Sequence, residues 1–249
     1  TCVLGRAKHS FSMIVLRLLY RVPVFLISCL FAIGLAFFAK LLGASIKIRH
    51  GIYSIWRKTF LWLLGIKINI KSGFKPSFAA VLMGNHRSYA DVLFILSGTP
   101  TVFLSKAEIK KWPIIYQAAQ ALDTVFVQRN DKESRSDARK ELAKSISKGL
   151  SPVVFPEGTT SYSGLLPFNP GMFYTAAEMQ VPIVPFFIEY SDPEMAWVGK
   201  EKFIPHLLRM FMRPKWHVDI TIGHAFYGHD GEKLSNDIYD WMKKKLTNG

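Results

Sequence analysis

Residues 79–91 read AAVLMGNHRSYAD, and this stretch decides how the chain around it folds. Its first five residues are apolar, which predicts a buried strand over Ala79–Met83. The polar residues that follow predict a turn in which Ser88 is suited to cap a helix. A helix over Tyr89–Leu96 completes the succession of strand, turn and helix.

The same succession continues on both sides of this stretch, as short β-branched runs that alternate with helical segments. The predicted strands are Lys67–Ile70, Ala79–Met83, Thr101–Leu104, Thr124–Val127, Pro152–Phe155, Ile183–Ile188 and His217–Ile222. The predicted helices are Tyr89–Leu96, Pro113–Ala121, Ser134–Lys148, Met172–Met179 and Glu232–Leu246. This order predicts an α/β fold with a mostly parallel central sheet flanked by helices. In such a sheet, active sites gather at the carboxyl ends of the strands.

A long apolar run precedes the α/β region. Residues 22–39, VPVFLISCLFAIGLAFFA, contain no charge and lie between Arg21 and Lys40. Eighteen such residues approach the roughly 20 that a membrane-spanning helix needs. A signal peptide is the competing interpretation, because Arg17 and Arg21 supply a positive flank. The length of the run, and the lack of a clear small-x-small cleavage site in the GASIKIRHG that follows, favour a retained membrane segment.

A second apolar segment, Ile52–Ile66, carries residues typical of a membrane interface. These residues are Trp56, Arg57, Lys58 and Trp62. We therefore expect an N-terminal membrane-associated helical pair in residues 1–66 and an α/β domain in residues 67–249. A hairpin in one leaflet and a true span both fit this pattern.

The composition points to lipid and to anionic partners. The 249 residues suit one α/β domain with an N-terminal extension, and 49% apolar residues exceed the need of an ordinary core. The net charge of +14 suits anionic lipid, nucleic acid, a phosphorylated small molecule or an acidic carrier protein. Cys2 and Cys29 do not make a disulfide framework, which favours a cytosol-facing catalytic domain.

The histidine motif, residues 85–91 (NHRSYAD), is the first candidate site. In one continuous helix, His86 and Asp91 would point roughly 140° apart. If His86 lies in the turn, Asp91 in the first helical turn can accept a hydrogen bond from its Nδ1–H. The other ring nitrogen can then act as a base. The alternative is that Ser88 and Asp91 form only a capping box and His86 is an incidental turn residue.

Three further blocks lie at the ends or at the start of predicted strands. In the glutamate loop, residues 155–161 (FPEGTTS), Gly158 permits a tight turn, and hydroxyl and N–H groups suit an oxyanion, although an ordinary turn has the same pattern. Arg129 ends FVQR at 126–129 and suits a bidentate phosphate contact, although a single such arginine is more often a surface residue. Residues 181–185, VPIVP, predict a buried edge of the sheet.

Taken together and in this order, the four blocks resemble the motif blocks of glycerolipid and lysophospholipid acyltransferases. The blocks cover about residues 79–190, and an apolar N-terminal helical pair is also typical of that family. The resemblance implies acyl transfer from acyl-CoA or acyl-carrier protein to a lysolipid acceptor, most commonly 1-acylglycerol-3-phosphate. It also implies that Arg129, Glu157 and Gly158 hold the acceptor head group, and we add Thr159 of the same turn.

The chemistry asks for a base that removes a proton from a hydroxyl as its oxygen attacks a thioester carbonyl. A histidine suits this step, so we expect His86 as the base and Asp91 as the group that orients it. Lys106 and backbone N–H groups are candidate oxyanion donors. The sequence has no G-x-S-x-G and no cysteine near His86, so no covalent acyl-enzyme is expected.

We expect no cofactor beyond the acyl donor, and no metal. His206, His217, His224 and His229 show neither HExxH spacing nor cysteine pairs. Nucleic acid is not an expected partner, because basic residues are spread along the chain and no recognised nucleic-acid module is present. The expected partners are the lysolipid acceptor, the acyl donor and membrane lipids, with the protein in the inner cell membrane and its catalytic domain facing the cytoplasm.

Two positions depart from the family pattern. Asp123 stands where the family usually has glycine, and Thr160 stands where it usually has arginine. The second change removes a positive group near the acceptor and leaves another lysolipid, such as lyso-ornithine lipid, as an alternative. A catalytically idle lipid-binding or membrane-remodelling protein is the third possibility. Lysophosphatidate remains the preferred acceptor, because Arg129 and the net charge suit a phosphate.

Overall fold

The computed structural model describes residues 2–71, 77–95 and 99–247, and only the backbone of residues 2–11 and 247. Within these residues, seven strands form one sheet in the order β1, β7, β6, β2, β5, β3, β4. The strands are β1 Ile66–Ile70, β2 Val81–Gly84, β3 Thr101–Lys106, β4 Val125–Val127, β5 Ser151–Val154, β6 Ile183–Tyr190 and β7 Trp216–Ile222. Each predicted strand is confirmed to within two residues of its observed ends.

Neighbouring strands are parallel except for β6 and β7, which confirms the mostly parallel sheet. The VPIVP stretch is buried as predicted, but the prediction that it lies at an edge is wrong. It begins β6, which lies inside the sheet between β7 and β2. Pro185 is tolerated there because the ladder between β6 and β7 begins only at the next residue, Phe186, opposite Ile222.

Helices flank the sheet. They are α1 Cys2–Leu41, α2 Ile46–Leu64, α3 Pro113–Ala121, α4 Lys132–Ser147, α5 Gly171–Glu178, α6 Phe203–Met212 and α7 Gly231–Thr247. Short 3-10 helices cover Tyr89–Leu93, Ala107–Lys111 and Pro193–Met195. The helix expected over Tyr89–Leu96 is a 3-10 helix that ends at Leu93, and Leu96 lies outside the described residues. Sequence reasoning missed α6, whose Pro205 lies in the first turn, where proline is tolerated.

The N-terminal helices pack onto the α/β body. Both are longer than the predicted segments, and residues of α2, including Phe60 and Leu64, share one core cluster with sheet residues such as Trp216. Arg17 and Arg21 donate to the carbonyls of Met212 and Phe211 at 3.2 and 3.0 Å. These contacts favour a retained segment over a signal peptide. The division into two domains at residue 66 stays a prediction.

The outer surface of α1 and α2 is apolar. Residues 12–41 form a helix long and apolar enough to cross a membrane, and only 17% of its most apolar window is buried. The most exposed apolar side chains of this face, called the apolar face below, are Leu16, Leu19, Ile27, Leu30, Phe31, Phe38, Leu41, Leu42, Ile48, Ile55 and Trp62. A surface of this kind indicates membrane association.

Candidate active site

The predicted site residues gather at one edge of the sheet. The histidine motif follows β2 and the glutamate loop follows β5, and these strands pair in parallel with Met83 opposite Val154. Lys106 ends β3, and Arg129 follows β4, on the strands next in order. Because these four strands are parallel, their carboxyl ends meet at the same edge, which is where such folds place their active sites.

His86 and Asp91 are in contact. The Nδ1 of His86 lies 2.8 Å from Oδ2 of Asp91, which confirms the predicted hydrogen bond. The contact forms because His86 lies in the turn and Asp91 in the 3-10 helix. A carboxylate at this position assigns the proton to Nδ1, so Nε2 is the basic atom of the ring. The side chain of His86 is 15% exposed.

The capping box is present together with the His86–Asp91 hydrogen bond, so the alternative that Ser88 and Asp91 form only a capping box is wrong. The Ser88 side chain accepts from the N–H of Ala90 at 3.3 Å, and Asp91 accepts from the N–H of Ser88 at 3.0 Å. Asp91 Oδ2 also accepts from the N–H of Arg87 at 2.7 Å, and its Oδ1 accepts from the Tyr190 hydroxyl. The Asp91 carboxylate is fully buried, and both of its oxygens accept hydrogen bonds. A buried charged group needs such partners to offset the loss of water.

The glutamate loop contacts both the backbone and the imidazole ring of His86. The His86 N–H donates to Glu157 Oε1 at 2.9 Å, and the His86 carbonyl accepts from the Ser161 N–H at 2.9 Å. Glu157 Oε2 accepts from the N–H of Leu166 at 3.0 Å. The Phe155 ring stacks on the imidazole with 4.2 Å between centroids. Both oxygens of Glu157 thus have partners within the protein, and its contact with an acceptor head group stays a prediction.

Two residues of the histidine motif have contacts that sequence reasoning did not assign. The guanidinium of Arg87 is buried and donates to the Ser161 hydroxyl and, at 2.8 Å, to the Gly164 carbonyl. The Asn85 side chain exchanges two hydrogen bonds with the backbone of Ile188 in β6, at 2.8 and 2.7 Å. The sequence feature that could have indicated these contacts is the polarity of both residues directly after a buried strand. Polar side chains in such a place need hydrogen-bond partners.

Gly158 makes the tight turn of the glutamate loop. Its φ of 71° lies in the left-handed region, and a Cβ at this position would lie 2.7 Å from Asn169 Nδ2. Its N–H donates to the Phe155 carbonyl at 3.0 Å. Thr159, the next residue, is exposed and Thr160 is half-buried. The Gly158 amide is therefore used within the turn while Thr159 is exposed, and the roles of both in acceptor binding stay predictions.

Lys106 and Arg129 are exposed cations at the site edge. Lys106 forms an ion pair with Glu108 at 3.0 Å, and this bond, more than any other contact, lowers the pKa of the Glu108 carboxyl. The roles of Lys106 as an oxyanion donor and of Arg129 in acceptor binding stay predictions.

The departure at Asp123 has a structural explanation. Asp123 has a φ of 52°, a left-handed conformation that glycine adopts without strain and that aspartate tolerates better than most residues. Its carboxylate pairs with Lys40 of α1 at 3.0 Å and with the buried Arg49 of α2 at 2.7 Å. The aspartate thus fastens both N-terminal helices to the start of β4.

Comparison with known proteins decides the family. The family model described as Acyltransferase matches residues 65–189, which contain both the histidine motif and the glutamate loop. The chain belongs to the acyltransferase family. This confirms the resemblance of the four motif blocks and the prediction of an acyltransferase.

Relatives of this acyltransferase-family chain carry two kinds of name. It is 28% identical over 203 residues to a lyso-ornithine lipid O-acyltransferase of Rhizobium meliloti (strain 1021), covering 74% of this chain and 70% of that protein. It is 34% identical over 209 residues to the chloroplastic 1-acyl-sn-glycerol-3-phosphate acyltransferase BAT2 of Brassica napus, covering 81% of this chain and 57% of that protein. The names of these two relatives give different lysolipid acceptors.

A solved structure has the same fold. The crystal structure of the 1-acyl-sn-glycerophosphate (LPA) acyltransferase PlsC from Thermotoga maritima superposes with a TM-score of 0.73 at 19% sequence identity. The match covers 94% of this chain and 95% of that chain, so it includes the N-terminal helices. This confirms the predicted fold class.

Proposed function

We propose that this protein moves a fatty acyl group from acyl-CoA or acyl-carrier protein to the free hydroxyl of a membrane lysolipid, with His86 as the general base. The observation that carries the proposal is the 2.8 Å contact between His86 Nδ1 and the buried Asp91, which leaves Nε2 as the base. A protein that only binds lipid has no need of this arrangement, which argues against a catalytically idle role.

In the proposed reaction, Nε2 of His86 takes the proton of the acceptor hydroxyl while that oxygen attacks the thioester carbonyl. Asp91 stabilises the imidazolium that forms, because its negative charge lies 2.8 Å from the ring. The carbon–sulfur bond then breaks, the thiolate leaves, and the proton on His86 passes to the thiolate or to water. The step needs no covalent acyl-enzyme and no resident cofactor.

The first acceptor that we propose is 1-acylglycerol-3-phosphate, whose acylation gives phosphatidate. The exposed Arg129, which follows β4 at the same end of the parallel strands, and the net charge of +14 support an anionic head group. A second acceptor, lyso-ornithine lipid, is supported by Thr160, which stands where the family usually has arginine. Two relatives named lyso-ornithine lipid O-acyltransferases, which match 74% and 83% of this chain, support it as well.

We further propose that the protein lies in the inner cell membrane with its catalytic domain facing the cytoplasm. The apolar face of α1 and α2 supports membrane contact. The reduced, buried Cys29 suits a compartment that does not form disulfides.

A panel of lysolipids tests the proposal. Purified protein in detergent is incubated with each lysolipid and with acyl-CoA or acyl-carrier protein in turn, and the products are identified by mass. Product from lysophosphatidate supports the first acceptor, and product from lyso-ornithine lipid alone supports the second. Thr160→Arg is the matched variant, expected to shift selectivity toward lysophosphatidate. No acylated product from any pair, under conditions where the protein is folded, contradicts the proposed activity.

A further inference from the structure

The buried Asp91 divides its hydrogen bonds unequally between its two oxygens. Oδ2 accepts from His86 Nδ1 and from the N–H groups of Arg87 and Ser88. Oδ1 accepts from the hydroxyl of Tyr190, a residue 99 positions away in the chain. We propose that Tyr190 is a positioning residue of the His86–Asp91 pair and that its hydroxyl sets the basicity of His86. This inference rests on the proposed general-base role of His86.

The backbone holds Tyr190 in place. It is the last residue of β6, where it pairs with Val218 of β7. Its ring meets the fully buried Phe94 edge-on, with 6.0 Å between centroids. Two residues earlier, Ile188 exchanges hydrogen bonds with Asn85 of the histidine motif. The hydroxyl is therefore presented to Asp91 by a central strand that is itself bonded to the motif.

The phenol stays protonated, so it acts as a donor. Burial raises the pKa of Tyr190 well above its usual value, and the neighbouring negative charge of Asp91 raises the pKa further. The bond draws negative charge toward Oδ1 and away from the oxygen that faces His86. The Asp91 carboxylate therefore stabilises the imidazolium less than it would without this donor.

Removing the hydroxyl by Tyr190→Phe keeps the ring and leaves Oδ1 without this donor. We expect the acidic limb of the kcat/KM profile to move up by about half to one pH unit, because His86 then holds its proton to a higher pH. Below neutral pH this lowers turnover by about threefold to tenfold. The KM for the acceptor should change little, since Tyr190 acts through Asp91.

The matched control is Tyr53→Phe. The Tyr53 hydroxyl donates to the carbonyl of Val92 at 3.0 Å, in the same 3-10 helix as Asp91. Tyr53→Phe therefore removes a hydroxyl bonded to the same helix but not to the carboxylate. If Tyr190 only stabilises the fold, both variants should leave the pH profile in place.

The experiment measures the pH profile of acylation and, separately, the titration of His86 by NMR with ¹³C-labelled histidine, assigned with His86→Ala. In Tyr190→Phe we expect the acidic limb of the activity profile and the midpoint of the His86 titration both to move to higher pH. In Tyr53→Phe we expect neither to move. The inference is overturned if His86 in Tyr190→Phe titrates as in the wild type or at a lower pH. It is also overturned if the titration of His86 shifts equally in Tyr53→Phe.

The NMR titration needs no turnover, so it separates this inference from the proposed function. An inactive wild-type protein whose His86 still shifts in Tyr190→Phe contradicts the proposed function and supports the role of Tyr190. If Tyr190→Phe does not fold, a fluorinated tyrosine at position 190 keeps the ring and strengthens the donor. His86 should then titrate at a lower pH than in the wild type, and an unchanged or higher value overturns the inference.

Discussion

The imidazole of His86 is fixed on several sides, although it lies in a turn. Asp91 holds one ring nitrogen, Phe155 covers one face, and Glu157 and Ser161 bond the N–H and carbonyl of its backbone. A general base must be held in one orientation to be effective, and these contacts supply that order before substrate arrives. The glutamate loop is therefore part of the support of the base.

Glu157→Gln separates two roles of this glutamate, which are support of His86 and binding of the acceptor head group. The amide replaces one of the two oxygens that accept from His86, Ser161 and Leu166, so at least one donor loses its partner. We expect kcat to fall about tenfold or more and stability to fall by roughly 1–3 kcal/mol, measured by kinetics and a thermal melt. A raised acceptor KM with unchanged kcat would show instead that Glu157 binds the head group.

Arg129→Ala tests acceptor binding at the other end of the site. If Arg129 contacts an anionic head group, the loss of a charge-assisted bond should raise the acceptor KM roughly 10- to 100-fold and change the donor KM less. Lys132→Ala, which removes an equally positive, exposed residue at the start of α4, is the control for net charge. Equal effects of the two variants, measured with a lysophosphatidate series, would contradict a specific contact.

At the scale of whole elements, buried arginines join α1 and α2 to the ends of other helices. Arg21 donates to Phe211 and Arg213 carbonyls at the end of α6, at 3.0 and 2.6 Å. Arg49 donates to Ala121, the last residue of α3, and Arg57 donates to Leu93, the last residue of the 3-10 helix, both at 2.8 Å. Helix carboxyl ends carry unpaired carbonyls and partial negative charge, so arginine suits each position.

Arg57→Met tests this junction where it meets the active site. The variant keeps an aliphatic chain but leaves the Leu93 carbonyl without its donor, so we expect a loss of roughly 1–3 kcal/mol of unfolding free energy. Turnover should fall as well, because the same 3-10 helix carries Asp91. Lys58→Met, an exposed neighbour, is the control in the thermal melt and the assay. A wild-type melting temperature for Arg57→Met would contradict this account of α2.

The strands were predictable because each is a short β-branched run with its own turn signals, whereas the role of these arginines was not. Arg21 and Arg57 have the same local pattern whether they flank a membrane segment or cap a distant helix. Likewise His86 and Asp91 were predictable because their contact depends on local spacing. Tyr190 was not, since nothing near it in sequence indicates that β6 brings it to Asp91.

For the whole molecule, the apolar face is the feature that a soluble enzyme does not need. Leu41 is 83% exposed and Trp62 is 80% exposed, and both lie on the N-terminal helices or their connection. Lys58 is exposed nearby in sequence and suits anionic head groups. We expect this face to hold the protein at a lipid surface, where the proposed lysolipid acceptor resides.

Replacing Leu41, Ile55 and Trp62 together by serine should weaken binding to anionic liposomes in a flotation assay. The melting temperature should change little, because these side chains are exposed. Tyr227→Ser, a 67% exposed position outside these helices, is the control and should leave flotation unchanged. If the unmodified chain stays in the supernatant of detergent-free cell fractions, the membrane account is contradicted.

The most direct test of the central claim is the turnover of His86→Ala beside the wild type, with the acceptor and donor that the lysolipid panel identifies. Because the backbone bonds of residue 86 to Glu157 and Ser161 do not involve the imidazole, the variant should fold, which a thermal melt checks. Its kcat should fall by roughly 10²–10⁴, as expected when a general base is lost. A folded His86→Ala protein that acylates the lysolipid at a near-normal rate would contradict the proposed mechanism.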